Sequence, residues 1–539
     1  MMHTTPLKYP VNKTGMKKLF IMKTIPFWTA TLLAIPFTFA QQASLSAQQE
    51  SRSLSLEDCF EIALQDNLTV QIERVNPELS LYDLKVSEGA YDPNFFFSYR
   101  QFHRQEPGRF DPTIGTIPGS SSDTDNYSTG ISGLLPTGTQ YSFQTSVSET
   151  EVNNSGFTFN QFSGNAAFSQ LRQPLLKNFW IDGSRLNIKL AKNQLTQSDF
   201  LLQWQIMNTL TQVELAYYDL IFAQENVKVQ EKAVQLAERL LSENKKRVEI
   251  GTMAPLDEKQ AESQVAARRA DLLGANRTLV VRQNDLKNLL SDEYTAWMNV
   301  TIQPTEGLRA VPVVTDLQDS WHKGMNNRPD LAERRKGLEN QGILVKFRRN
   351  QLFPQLDLIG SIGYSAQARD GSYGDLFDQF TGRDNPVWSV GAELSMPLTR
   401  RQERYSLKTA KAQAEQLKLN FKRMEQQIMV DIENAVSLTK INIQRVEATR
   451  QEREFAEAAL DAEQKKLEVG KSTSFIVLQL QRDLTAARSN EINALAEYNK
   501  ALAQLSLNEG SVFDRHAITV EEVDTDVDGN PLLEPVFNE

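Results

Sequence analysis

The chain of 539 residues has a single cysteine, Cys59, so neither a disulfide framework nor a thiolate metal cage can hold it together. Histidine is nearly as scarce: His3, His103, His322 and His516 are scattered, and no two stand at ligand spacing. Basic charge is in deficit, with 58 Lys and Arg against 68 Asp and Glu and a net charge of −10. That balance argues against nucleic acid as a partner, because a phosphate backbone needs a basic face. No GxxxxGK[ST] phosphate loop occurs, which removes the commonest nucleotide-binding device. Beyond Ala40 no apolar run is long enough for a spanning helix, so any membrane crossing by the remainder must use β-strands. The most informative scarcity is local. Glycine and proline are both missing from Ser184 to Ile250, and again from Leu398 to Val469.

Residues 1–40 carry an address. Lys13, Lys17, Lys18 and Lys23 precede the apolar run IPFWTATLLAIPFTFA, which closes on the small residues Thr38 and Ala40. This is the layout of a secretory signal peptide. The alternative, a membrane anchor, suffers from an apolar part shorter than the roughly 20 residues a spanning helix needs. No cysteine sits at the cut to carry a lipid.

The two runs without glycine or proline read as very long helices, each about 100 Å at 1.5 Å per residue. Ile206, Val213, Leu220, Val227, Val234, Leu241 and Val248 fall at intervals of seven, and Ala216, Ala223 and Ala237 keep a second position small. In the second run Ile432, Val446 and Leu460 lie 14 apart, with Leu467 seven further on. Such seams pack supercoiled helices side by side. Each run ends in a similar phrase, KKRVEIGTMAPLD or QKKLEVGKSTSFI, whose glycines Gly251 and Gly470 stand at an offset of 219. A glycine there stops a helix cheaply. Thr252 to Pro255, and Lys471 to Ser474, then reverse the chain, with Pro255 suited to the first turn of the returning helix.

Other segments alternate. In WSVGAELSM, Trp388, Val390, Ala392, Leu394 and Met396 face one way and Ser389, Gly391, Glu393 and Ser395 the other. In YSFQTSVS, Tyr141, Phe143, Thr145 and Val147 oppose Ser142, Gln144, Ser146 and Ser148. FFFSYRQF and LDLIGSIGY are similar, and strands of this kind suit a transmembrane barrel with a wet lumen, although each alone also suits a half-buried sheet. EGAYDPNFFFSY with Pro93 and RRNQLFPQLDLI with Pro354 are offset by 261, as are Phe60 and Trp321, and Val70 and Leu331. Pro174 and Pro397 lead from strand into long helix. The chain therefore reads as a tandem duplication. The first repeat covers about 50–290, with strands in 94–172 and long helices over 184–250 and 256–290. A connection, 291–314, leads to the second repeat at 315–508, with strands in 355–396 and long helices over 398–469 and 475–507. Residues 509–539 form an acidic tail.

On these motifs (SLEDCFEIALQDN, AYDPNFFF, LFPQLDL, RQPLL, SMPL, RVEIG and KLEVG) the chain resembles the outer membrane efflux proteins of the TolC family. The resemblance implies a mainly α fold with a membrane β-barrel portion, in which a homotrimer shares one β-barrel in the outer membrane and one α-barrel in the periplasm. It implies a passive exit duct for efflux or type I secretion and not an enzyme, with no catalytic residues, cofactor or metal. The partners it implies are a periplasmic adaptor, an inner-membrane transporter reached through that adaptor, and outer-membrane lipid. By the same resemblance the turns, with Gly251, Thr252, Pro255, Asp257, Gly470, Lys471 and Ser472, form the periplasmic tip that meets the adaptor, and Pro93, Pro174, Pro354 and Pro397 mark the helix–strand joints. Some members carry acids just after the second turn, where this chain has Ile476 and Gln479. A periplasmic coiled-coil adaptor or a structural envelope protein remains the alternative. Neither needs two helix hairpins paired with amphipathic strands.

Local features read plainly. DTDVDGN, Asp524 to Asn530, resembles the start of a calcium loop but has Pro535 where the twelfth-position glutamate belongs, and reads as solvated tail. Asp257 and Glu258 lack any nearby nucleophile or base in the sequence. Cys59 reads as a small buried hydrophobe and KFRRN, Lys346 to Asn350, as a basic cuff at a joint. The strand regions differ in length. The stretch from Pro93 to Pro174 is nearly twice as long as that from Pro354 to Pro397. The excess either adds a hairpin, giving six strands per protomer with a reversal at LLPTGTQ, or enlarges a surface loop over the usual four.

Overall fold

The computed structural model describes residues 50–154, 157–525 and 531–537. The expected signal peptide, 1–40, lies outside them, as does most of the acidic stretch Asp524 to Asn530. Among the described residues no helix is long and apolar enough to cross a membrane.

Each repeat opens with two short helices. Ser55 caps α1 (Leu56–Asp66) through a reciprocal pair of hydrogen bonds with Asp58, and the Asn67 side chain accepts from Thr69 and Val70 to start α2 (Leu68–Glu88). Four strands follow: β1 (Asn94–Glu106), β2 (Ser120–Leu134), β3 (Gln140–Asn154) and β4 (Phe157–Pro174). Asp182 then caps the 67-residue α3 (Gly183–Glu249), which turns into α4 (Pro255–Leu290). The second repeat runs α5 (Leu317–Asn327), α6 (Pro329–Asn350), β5 (Gln355–Arg369), α7 (Tyr373–Gly382) and β6 (Pro386–Ser395). It finishes with α8 (Arg401–Glu468) and α9 (Ser474–Glu509). The offset of 261 carries both ends of α1 onto those of α5, and the offset of 219 carries both ends of α4 onto those of α9.

Five of the seven heptad positions predicted in α3 are buried, whereas Leu241 and Val248 are only half-buried and Leu240 and Asn244 take the inward places near the turn. Ile206, Val213, Leu220, Val227 and Val234 are buried, as are Ile432, Val446, Leu460 and Leu467 in α8. Each such side chain contributes about 1.5–3 kcal/mol when fully buried. Helix α3 packs against α4 within its hairpin and against α2, α6 and α9 beside it. Helices α2 and α4 lie end to end along α3: the Asn67 amide donates to the Leu289 carbonyl at 2.8 Å, so one residue starts α2 and caps the last turn of α4. Arg328, its counterpart at the same offset of 261, donates to the Asn508 carbonyl at 3.3 Å and joins α6 to α9.

The widest core lies at this junction. Phe60, Leu64, Leu210, Tyr217, Leu286 and Leu290 meet there, together with Cys59. Burial, with Asp58 and Glu306 adding to it, pushes the Cys59 thiol up to about 12. The connection between repeats is not bare linker, because Val300–Pro304 pairs in parallel with Glu50–Leu54. Nor is the start of the acidic tail solvated. Val512 and Ile518 join the same core, and Arg515 and His516 reach the buried Glu214 carboxylate at 3.1 and 3.3 Å. The tail folds back because its apolar residues have a core to enter and Arg515 has a buried acid to neutralise.

The six strands form one antiparallel sheet in chain order, β1 to β6, with the α3–α4 hairpin leaving between β4 and β5. The second repeat supplies two strands and the first supplies four. Between β5 and β6, where a plain loop is expected, the chain forms α7.

Candidate functional site

The two ends of the molecule hold the candidate sites. At the far end of the long helices, both turns close in the same way. Gly251 and Gly470 adopt φ of 78° and 75°, the left-handed region in which a side chain is strained. The Gly251 amide donates to Val248 at 3.0 Å and the Thr252 amide to Arg247 at 2.9 Å. Gly470 donates to Leu467 at 3.1 Å and Lys471 to Lys466 at 2.8 Å, repeating the pattern bond for bond. These paired bonds satisfy carbonyls that the helix end leaves orphaned. The Thr252 hydroxyl adds a second bond to the Arg247 carbonyl, and Pro255 opens α4 where its missing amide hydrogen costs nothing.

The turns sit side by side. Arg247 donates to the Leu467 carbonyl at 3.3 Å, and the Ser474 hydroxyl to Asn244 Oδ1 at 3.1 Å. Leu240, Leu460, Leu467, Val477 and Leu478 pack beneath them. Asn244, only 1% exposed, also reaches the Asp257 carbonyl, so it links both hairpins. Nothing in the sequence flags these linking residues, because a polar residue at a seam position looks like a solvated one until its partner is known. Ser472 donates to Glu463 at 2.5 Å and Lys466 to the same carboxylate at 2.8 Å; these bonds, Lys466 first, hold Glu463 below the usual carboxylate range. Glu258 lies 4.0 Å from Lys245, while Lys245 also approaches Glu262 at 3.3 Å, so Glu258 belongs to a surface ion-pair cluster. Ile250, Leu256, Val469 and Phe475 stand exposed around the turns and make the tip apolar at its rim.

At the opposite end the four prolines mark the joints. Pro93 and Pro354 stand just before β1 and β5, Pro174 is the last residue of β4, and Pro397 follows β6. The Leu175 amide donates to Leu356 at 2.8 Å and the Asn178 amide to the buried Asn350 side chain at 2.9 Å, which fastens the first repeat's exit to the second repeat's entry. Arg172 pairs at 2.6 Å with Asp357, a carboxylate hidden from solvent, and the same guanidinium nitrogen lies 3.4 Å from Glu393. Of the basic cuff, Lys346 and Arg349 are exposed and Arg348 lies against the Phe347 ring.

The sheet has two unlike faces, although Ser169 sits on the mainly apolar one and Phe96 and Phe102 on the other. One row runs across all six strands as Phe95, Ile131, Phe143, Ser169, Ile362 and Trp388. That face also carries Phe97, Tyr99, Val390 and Leu394, all exposed. The other face pairs hydroxyls across strands: Ser98 with Ser128, Ser148 with Ser163, and Ser361 with Ser389, at 2.6–2.8 Å. Apolar side chains facing out and hydroxyls facing in is the arrangement of a barrel wall between lipid and water. Helix α7 lies on the apolar face at its far end, with Leu376 fully buried and Tyr373 edge-on to Phe162 at 5.1 Å.

Comparison with known proteins agrees with this architecture. The sequence is 24% identical over 311 residues to nodulation protein T of Rhizobium leguminosarum bv. trifolii, covering 56% of this chain and 62% of that relative. It is 22% identical over 340 residues to outer membrane protein TolC of Vibrio cholerae, covering 62% of this chain and 76% of the relative. The fold matches the crystal structure of the Campylobacter jejuni CmeC outer membrane channel with a TM-score of 0.61 over 85% of each chain, at 15% identity. The profile of the outer membrane efflux protein family matches residues 137–291 and 322–510, more than half of the sequence and both helix hairpins. The matched residues include both pairs of long helices, both glycine turns and four of the six strands of the sheet, and the chain belongs to the outer membrane efflux protein family.

Proposed function

We propose that this outer-membrane channel works as the exit duct of a tripartite efflux or type I secretion system, a passive conduit formed by three copies of the chain. The observation that carries the reading is the pairing of opposite ends. A sheet with a lipid-suited face sits at one end, and two matched turns sit about 100 Å away at the other. Three sheets side by side leave no free edge, and three pairs of helical hairpins complete the seams. The long helices reach through the periplasm. There the exposed apolar rim and the turns Gly251–Asp257 and Gly470–Ser472 meet a periplasmic adaptor, which couples the duct to an inner-membrane transporter that supplies the energy. The alternatives, an adaptor or a structural coiled coil, leave the exposed face of Phe95, Phe143, Trp388 and Leu394 without a use.

Cell fractionation tests the reading. The protein is expected in the outer membrane as an oligomer that dissociates only on heating, and a photo-crosslinking residue at Lys471 is expected to capture a periplasmic protein. A soluble, monomeric periplasmic pool would overturn it.

A further inference from the structure

The first repeat's additional hairpin, β2 and β3, has a position that decides what it does. An enlarged surface loop would sit beyond the strands, with β1 pairing directly to β4. Instead β1 pairs with β2 along its whole length, from Asn94–Ser132 to Glu106–Ser120, and β4 pairs with β3. The turn between β2 and β3 lies at the helix joint. Gly138, at φ 86°, stands so close to Asn178 and Pro174 that a side chain would collide with the Asn178 carbonyl, and Thr139 hydrogen-bonds the Gln173 side chain. The hairpin therefore runs the full height of the sheet, from its outer end to the level at which the long helices begin. It also carries the same two faces as its neighbours: Tyr127, Ile131 and Phe143 on the apolar side, Ser128, Ser142 and Ser148 on the hydroxyl side.

We infer that all six strands of each protomer line the membrane pore, so that, on the trimeric reading above, the barrel has eighteen strands. The edges permit it. Strands β1 and β6 are exposed along almost their entire lengths, and they run in opposite directions, so β1 of one copy pairs antiparallel with β6 of the next. Matching the faces sets Phe95, Phe97 and Tyr99 beside Trp388, Val390 and Leu394. Strands about 4.8 Å apart and tilted about 40° give a backbone radius of about 18 Å for eighteen strands, against about 12 Å for twelve. The cross-section of the outlet roughly doubles. An outlet of that width does not discriminate by size, which leaves any size limit to the helical end of the duct.

Cysteine scanning of β3 tests this, and the native chain suits the purpose because its one cysteine, Cys59, is fully buried. Single cysteines at positions 141–148 are treated in intact cells with a charged, membrane-impermeant thiol reagent. The expected result alternates: Ser142→Cys, Ser146→Cys and Ser148→Cys label through the water-filled lumen, whereas Tyr141→Cys, Phe143→Cys and Val147→Cys resist and react only with a lipid-soluble reagent. Uniform labelling along β3 would overturn the spanning hairpin. Ile362→Cys and Val390→Cys in the other repeat separate this failure from a wider one. If they stay protected while β3 labels, only the eighteen-strand barrel falls; if they label as well, the membrane reading falls with it. A second measurement addresses closure. Ser98→Cys is expected to cross-link between copies to at least one of Ser389→Cys, Gly391→Cys and Glu393→Cys, and absence of all three products would overturn the proposed seam.

Discussion

The two repeats agree at one end of the molecule and disagree at the other. Their long helices have 67 and 68 residues, and their returning helices have 36 each. Their turns close with the same hydrogen bonds. Yet one repeat contributes four strands to the sheet and the other two. The contrast shows where length is constrained. Helices that pack along a common seam must stay in register, so a residue gained in one hairpin displaces every knob beyond it. A sheet grows sideways, and an extra hairpin leaves each neighbour's pairing intact except at the insertion.

If the helical hairpins are equivalent, charge placed in either seam should do equal and severe damage. Val227→Asp with Val234→Asp in α3, and Val446→Asp with Leu460→Asp in α8, each bury two unpaired carboxylates, at about 3–5 kcal/mol per site. Both pairs are expected to abolish the heat-resistant oligomer on unboiled gels; survival of one pair at the wild-type melting temperature would show that the repeats carry unequal loads.

Smaller and more local effects are expected at the turns. Gly251→Val and Gly470→Val each impose about 1–2 kcal/mol of left-handed strain without a steric clash, since open space surrounds both positions. Oligomers should assemble, while export measured by intracellular accumulation of a dye or other cargo should fall in both variants. Unchanged export in both would detach the turns from function.

The turns differ in charge, and that difference is also measurable. Asp257 and Glu258 follow the first turn, whereas no acid lies between Gly470 and Gln481 in the second. A trivalent cation should therefore reduce wild-type conductance in planar bilayers only weakly. Ile476→Glu with Gln479→Glu, both at exposed positions, should strengthen the block. The least effect is expected at Cys59. Its counterpart at the offset of 261 is Ser320, also buried, so Cys59→Ser should change the melting temperature only slightly, by about 1 kcal/mol in stability.

Much of this was legible beforehand because it rests on local rules. A stretch as long as Ser184 to Ile250 without glycine or proline has few options but helix, and Gly251 and Gly470 announce their turns by composition alone. The offset of 261 pairs Phe60 with Trp321 and Val70 with Leu331 from sequence alone, but the division of each region into two helices at Asn67 and Arg328 shows only in the structure. The extra hairpin was legible only as one of two outcomes, since alternation in YSFQTSVS cannot say whether β1 pairs with β2 or β4. The contact of Gly138 with Asn178 decides that, and it joins residues on either side of two whole strands. Helix α7 had a readable signal, the capping box of Ser372 and Asp375 ahead of Leu376 and Phe377, hidden among residues expected to form a loop. The parallel pairing of Glu50–Leu54 with Val300–Pro304 had none, because so short a strand meeting so distant a partner leaves no periodic trace. At the tip, Asn244 and Ser474 depended on two seams meeting at one height, a relation no single window contains.

The even number of strands in the sheet has an evolutionary corollary. A protomer with an odd number would present edges running the same way, and a ring of such protomers would have to mix parallel with antiparallel pairing at every subunit boundary. With an even number, any count of copies closes in a single pattern. Pores of this construction can therefore widen only in whole hairpins, and a ring multiplies each step by its number of subunits. Calibre becomes quantised: one added hairpin, such as the β2–β3 pair that stands between β1 and β4, changes the outlet in one jump.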